Sequence, residues 1–218
     1  MHPTILALLL ALAPPTTLLD LEAPTAASGL PAGWEVRRVK GQPAPDYEVL
    51  NLEDGGRALR LSGRGVAAWA THKLEEPLAP TAGRLGWSWR VIEQPDSADL
   101  RDRDADDSAI RVYVVFGNPR KLFGGSGRIV FYTWGNAEPD GLTMPSHVSD
   151  RLHIVRAAGA AEVDGDWHAH EVDPFEDYRR LWDREPPPIT AVGVMQDTDM
   201  TGSLAVADLR DLTWTPAP

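Results

Sequence analysis

The side chains able to do chemistry in this 218-residue chain gather in three acidic spots. In the first, RDRDADD, Asp102, Asp104 and Asp106 alternate as at the start of a calcium loop. An EF-hand would require Gly and Glu at its sixth and twelfth positions, and Asp107 and Tyr113 stand there, so that motif is excluded. Arg101 and Arg103 also supply counter-charge, which favours a solvated acidic loop. The second spot, QDTDMTGS, places Asp197 and Asp199 two residues apart. That spacing suits a paired-carboxylate or calcium site, and turn formation around Gly202 accounts for it equally well. In the third, DGDWHAHE, His168 and His170 project to one side of an extended segment. Two ligands do not make a metal site, and a strand following an Asp-Gly turn explains them. The chain has no Gly-x-Ser-x-Gly, no His-Glu-x-x-His and no phosphate loop, so acyl transfer, zinc proteolysis and nucleotide chemistry lack their parts. Zero cysteines exclude disulfides, thiolate metal sites, a cysteine nucleophile and a lipid anchor on cysteine.

Arginines and aromatics offer a different chemistry. Alternation along Arg84 to Ile92 sets Leu85, Trp87, Trp89 and Val91 on one side, and Arg84, Ser88 and Arg90 on the other. In the next strand Ile110, Val112, Val114 and Phe116 oppose Arg111, Tyr113 and Val115. The run after it divides Ile129, Phe131 and Thr133 from Val130, Tyr132 and Trp134. A second sheet face bearing Arg90, Arg111, Tyr113, Tyr132 and Trp134 is therefore expected. Sugar rings stack their C–H faces on Trp and Tyr, and their hydroxyls or carboxylates suit Arg forks, so such a face is a candidate saccharide seat. The alternative is that Arg90 and Arg111 pair with nearby Asp while the aromatics sit beneath loops. Asp107, directly before a strand, is placed to pair with an Arg or to close the strand end. Arg90, Asp107, Arg111, Asp197 and Asp199 are expected to lie together, at or beneath one face.

The elements that must position these residues are strands. Pro and Gly, 19 of each, are spread along the chain and leave little room for long helices. Between them lie short β-rich runs: 34–39, 47–52, 58–62, 66–73, 84–92, 109–116, 129–134, 152–156, 167–172, 189–196 and 204–214. Close spacing without helical period indicates an all-β, two-sheet β-sandwich or jelly roll, with at most one or two short helices. One helix is expected over Asp173 to Trp182, capped by Asp173, with Pro174 in its first turn and Phe175, Tyr178 and Trp182 on one face.

Composition narrows the setting. With 43% apolar and 24% charged residues the chain is globular. A net charge of −11 opposes nucleic acid or an anionic membrane surface as partner. Ile5 to Ala13 is an unbroken apolar run ending at Pro14, too short to span a bilayer and suited to a secretory signal. A cut after Ala27 is expected, Ala13 being the poorer choice because Pro14 follows it. Residues 1–27 then form the signal and 28–218 a single periplasmic or secreted domain, with no membrane insertion after cleavage.

LGWSWRV (85–91), ADLRDRDADDSAIRVYVVFG (98–117), IVFYTWG (129–135) and AVGVMQDTDMTGS (191–203) resemble the motif blocks of a bacterial family, domain of unknown function 3047. The likeness runs from about Gly33 to Trp214. It implies an exported jelly roll, similar in outline to carbohydrate-binding modules, with recurring polar positions at Arg90, Asp107, Arg111, Asp197 and Asp199. Met200 stands where the resemblance implies Asn. Together these features lead us to expect a non-catalytic domain that binds a saccharide or other small polar ligand through Arg90, Asp107, Arg111, Tyr113, Tyr132, Trp134, Asp197 and Asp199. No cofactor is expected, calcium being the one metal the acidic spots could take. Two alternatives remain open: a glycan hydrolase or lyase using paired carboxylates, and a structural or partner-binding domain with a buried Arg–Asp cluster.

Overall fold

The computed structural model describes residues 14–118 and 127–217. Two sheets pack face to face, as the strand-rich sequence leads one to expect. The six-stranded sheet runs β11 (His168–Val172), β6 (Gly83–Glu93), β13 (Leu204–Pro216), β4 (Arg57–Arg64), β3 (Asp46–Asn51), with β1 (Thr16–Thr17) also paired to β13. The seven-stranded sheet runs β2 (Trp34–Arg38), β5 (Ala67–Leu78), β12 (Ile189–Asp197), β7 (Ser108–Phe116), β8 (Arg128–Trp134), β10 (Ser149–Ala158), β9 (Thr143–Ser146). Its β8–β10 pair is parallel; the other pairs of both sheets are antiparallel.

The core between the sheets takes the residues that alternation sends inward. Trp87, Trp89, Ile110, Val112, Val114 and Val194 are all buried there, joined by Leu59, Leu61 and Leu209. The single α-helix among the described residues, α1 (Pro174–Trp182), is capped by Asp173, whose Oδ1 accepts from the Phe175 and Glu176 amides. Phe175 meets Phe116 and Trp214, and Tyr178 meets Phe116, so the helix packs onto the inter-sheet core.

The folded body begins upstream of Ser28. Thr16 and Thr17 pair with Trp214 and Thr213, and the Leu18 and Leu19 amides both donate to the Leu212 carbonyl. Leu18 and Leu19 are 4% and 3% exposed within the core. The expected boundary at Ala27 is therefore not a boundary of the fold. The two leucines belong to the core rather than to the apolar run, which lies outside the described residues.

Candidate functional site

Four of the expected site residues meet at the end of β7 and β12. Asp107, at the entry to β7, is 1% exposed. It accepts from the Met200 amide at 3.2 Å and from the Thr201 amide and hydroxyl at 2.8 and 2.6 Å, so it holds the turn that carries Asp199. Arg111, 3% exposed, donates to the Asp106 carboxylate and carbonyl, both at 2.8 Å, and lies 3.8 Å from Asp197. Oxygens of Asp107, Asp197 and Asp199 lie within 4.8 Å of one another. Burial raises the pKa of Asp197 well above 3.8 against the pull of Arg111, and the neighbouring Asp199 and Asp107 push it further up. These three carboxylates are the donor set that calcium would use. Asp107 is already loaded with backbone and hydroxyl donors, however, and Arg111 brings positive charge to the remaining pair. The geometry is that of a closed Arg–Asp tie between strand ends.

Arg90 is not part of this group. It lies on β6 of the opposite sheet, and no register offset within the β7 sheet could bring it over. Tyr132 and Trp134 also lie away from the expected outer face. The β7–β8 register sets Val112 opposite Tyr132 and Tyr113 opposite Phe131. Directly opposed residues share a face, so Tyr132 and Trp134 enter the core, 0% and 1% exposed. There Tyr132 donates to Asp177 Oδ2 on α1 at 2.8 Å, and Trp134 packs edge-on against Trp89. Tyr113 does share the outer face with Arg111, beside Trp69 and Phe131. Yet it is 1% exposed, lies across Gly193, and its hydroxyl bonds with Thr71 Oγ1 at 2.6 Å and the Ala70 carbonyl at 3.1 Å. A Cβ at Gly193 would sit 2.2 Å from that ring, which is why glycine faces it.

An accessible arrangement surrounds Arg90 on the outer face of the six-stranded sheet. Arg60, Asp208 and Arg90 stand directly opposite one another on β4, β13 and β6. Their neighbours Leu59, Leu61, Ala207, Leu209, Trp89 and Val91 face the core, so alternation turns these three outward. Asp208, 0% exposed, accepts two bonds from Arg60 at 2.7 and 2.9 Å and one from Arg90 Nε at 2.9 Å. Two residues along β13, Arg210 pairs with Asp54 at 2.9 Å. Trp167, leading into β11, crosses both cations, its ring centroid 4.8 Å from the Arg90 guanidinium carbon and 4.2 Å from that of Arg210. The ring is half-buried. It borders a pocket of about 510 Å³ lined by Leu50, Asn51, Leu52, Glu53, Asp54, Arg90 and Trp167.

Of this constellation the sequence reading picks out only Arg90. Val206, Asp208 and Arg210 alternate with Ala205, Ala207 and Leu209, a polar–apolar signal that could have found β13's contribution. Trp167 lay within DGDWHAHE, where the histidines draw attention. Those histidines turn to the core side: His170 stacks on Trp87, and His168 packs edge-on against Trp134 and bonds Asp164 at 3.0 Å. The 102–106 segment is a turn, with Asp102 and Asp104 exposed and Asp106 spent on Arg111.

Fold and topology define a jelly-roll sandwich. Among solved structures, the family 11 carbohydrate-binding module of the cellulosomal cellulase Lic26A-Cel5E of Clostridium thermocellum is similar at 10% identity, covering 95% of this chain and 97% of that one, with a TM-score of 0.50. The same type of module in complex with a β-1,3-1,4-mixed-linked tetrasaccharide covers 85% of this chain and 89% of its own at 9% identity and TM-score 0.45. A β-1,2-glucanase from Parabacteroides distasonis, of which a quarter is covered, aligns with 90% of this chain at 11% identity and TM-score 0.47. The first of these is a likeness of fold alone. No curated protein matches. The model of the family described as protein of unknown function (DUF3047) matches residues 32–213, and the chain belongs to that family.

Proposed function

We propose that the protein is an exported, non-catalytic domain that binds a saccharide at the Trp167 pocket. The observation that carries this reading is the half-buried indole held over Arg90 and Arg210 at the margin of the pocket. An aromatic ring fixed by two cations offers an apolar surface to sugar C–H groups at little entropic cost, and Asn51, Glu53 and Asp54 can bond hydroxyls. The jelly-roll architecture is compatible with such a role. For export, the apolar run 5–13 serves as the signal, with removal upstream of Thr16 so that Leu18 and Leu19 stay in the core. Among the described residues no helix is long and apolar enough to cross a membrane.

Isothermal titration against a panel of soluble oligosaccharides tests the reading. At least one should bind, and Trp167→Ala should weaken it at least tenfold, about 1.4 kcal/mol, without a matching loss of melting temperature. A panel without a binder, or full binding by Trp167→Ala, overturns it. The alternative of an Arg–Asp structural role applies to the Arg111 group, in which Arg111 bonds Asp106 and Asp107 holds the Met200–Thr201 turn. N-terminal sequencing of exported material tests the location, and a retained Met1 in a cytoplasmic fraction would sink it.

A further inference from the structure

Resting on the saccharide reading above, we infer that the ligand of the Trp167 pocket is an acidic sugar, carrying a carboxylate on its ring as uronic acids do. The bonding of Arg90 is the starting point. Its Nε is committed to Asp208, while its two terminal nitrogens make no hydrogen bond among the described residues, and its side chain is 25% exposed in the pocket wall. Asp208 cannot neutralise it alone. That carboxylate is fully buried, and Arg60 already takes both of its oxygens. One carboxylate therefore serves two guanidinium groups; Arg60 has Glu48 directly across the β3–β4 pair as a further acidic neighbour, whereas the outer edge of Arg90 has none bonded to it.

Arg210 is already paired, which leaves the outer edge of Arg90 as the uncommitted donor. The acidic partners of Arg210, Asp54 and Asp211, have side chains 57% and 68% exposed, so water screens them while the guanidinium lies against the indole. The free edge of a planar guanidinium matches a carboxylate through two parallel N–H···O bonds, a geometry no ammonium reproduces. The Arg90 guanidinium carbon is 4.8 Å from the Trp167 centroid, which sets that edge beside the indole on which a pyranose would pack. Glu53 and Asp54 on the rim oppose a densely charged polyanion and accept hydroxyl protons instead. The hydrogen bond from the Gly56 amide and the Arg210 pair keep the Asp54 carboxyl below its usual pKa, hence ionised for that purpose. One carboxylate per ring, with the remaining positions neutral hydroxyls, satisfies both demands.

The experiment compares trigalacturonate, triglucuronate and trimannuronate with their methyl esters and with the neutral trisaccharides, by titration calorimetry at low and moderate salt. At least one acid should bind at least tenfold more tightly than its methyl ester, with the preference shrinking as salt rises. Arg90→Lys should abolish the preference, because an ammonium can replace the Nε–Asp208 bond but not the fork. An ester or neutral sugar binding as well as the acid overturns the inference, as does a preference unchanged in Arg90→Lys. The acid-versus-ester comparison needs only the native protein, so it decides even if the variant is poorly folded. Neutral binding that depends on Trp167 would refute the acidic ligand and leave the saccharide reading standing; binding of none would refute both.

Discussion

Substituting Leu19 by Ala tests whether the segment before Ser28 is structural. The side chain is 3% exposed, and its backbone amide is anchored to Leu212, a fully buried residue of β13. Truncating a buried leucine removes its transfer free energy and leaves a cavity, costing about 2–5 kcal/mol. For a domain of this length each kcal/mol moves the melting temperature by about 2–4 °C, so a fall of about 4–20 °C is expected. The assay is calorimetric melting of a chain starting at Pro14, with and without Leu19→Ala. Glu22→Ala serves as a control: that carboxylate is 76% exposed in its pair with Arg57, and such surface pairs contribute about 0–1 kcal/mol. A chain starting at Ser28 should melt lower still, because it lacks both leucines, the β1 pairing and the two donors to the Leu212 carbonyl. If Leu19→Ala melts within about 1 °C of the parent, or the shorter chain matches the longer one, the segment contributes nothing and the reasoning fails.

Asp107→Ala should cost about 3 kcal/mol, since the Met200 and Thr201 amides and the Thr201 hydroxyl all lose their acceptor; denaturant melts showing a change under about 0.5 kcal/mol would contradict this. Asp197 should make the protein less stable as pH rises. Its folded pKa lies above 3.8, so the folded state holds a proton that the unfolded state has given up, and stability is lost from about pH 4 upward towards the folded value. Asp197→Asn should flatten that part of the melting-temperature profile, and a steeper decline in the variant would count against it.

Alternation along single strands carried much of the fold. The inward side of β6 and both sides of β7 follow from period two alone, and Asp173-Pro174 marked the helix start because cap and first-turn chemistry are local. Pairing between strands is not local. The face of Tyr132 and Trp134 is not legible from their own strand, because a one-residue change in register exchanges every side chain and the hairpin partner fixes it. Arg90 and Arg111 look alike in sequence because nothing in either strand states which sheet it joins. The convergence of Asp107, Arg111, Asp197 and Asp199 was legible from strand ends, whereas Asp208 needs two neighbours, β4 and β6, before its arginines appear. Trp167 precedes a strand by one residue, and only the sheet edge shows what lies beneath its ring.

The position of β13 has a consequence for the order in which the molecule can assemble. Residues 204–216 come last in the described chain, yet they form an interior strand, flanked by β4 and β6 and bonded to β1 near the other end of the chain. A ribosome releasing the chain from its N-terminus delivers β3, β4 and β6 long before the strand that joins them. Until then β4, paired with β3, and β6, paired with β11, each keep one edge open, and closing the gap brings together segments separated by most of the sequence, a slow, high-contact-order step. The pocket inherits this timing, because Asp208 and Arg210 arrive with β13. A nascent chain would therefore stay unlocked until β13 emerged, and any product cut short before residue 204 would have neither a joined sheet nor a seat for Arg90.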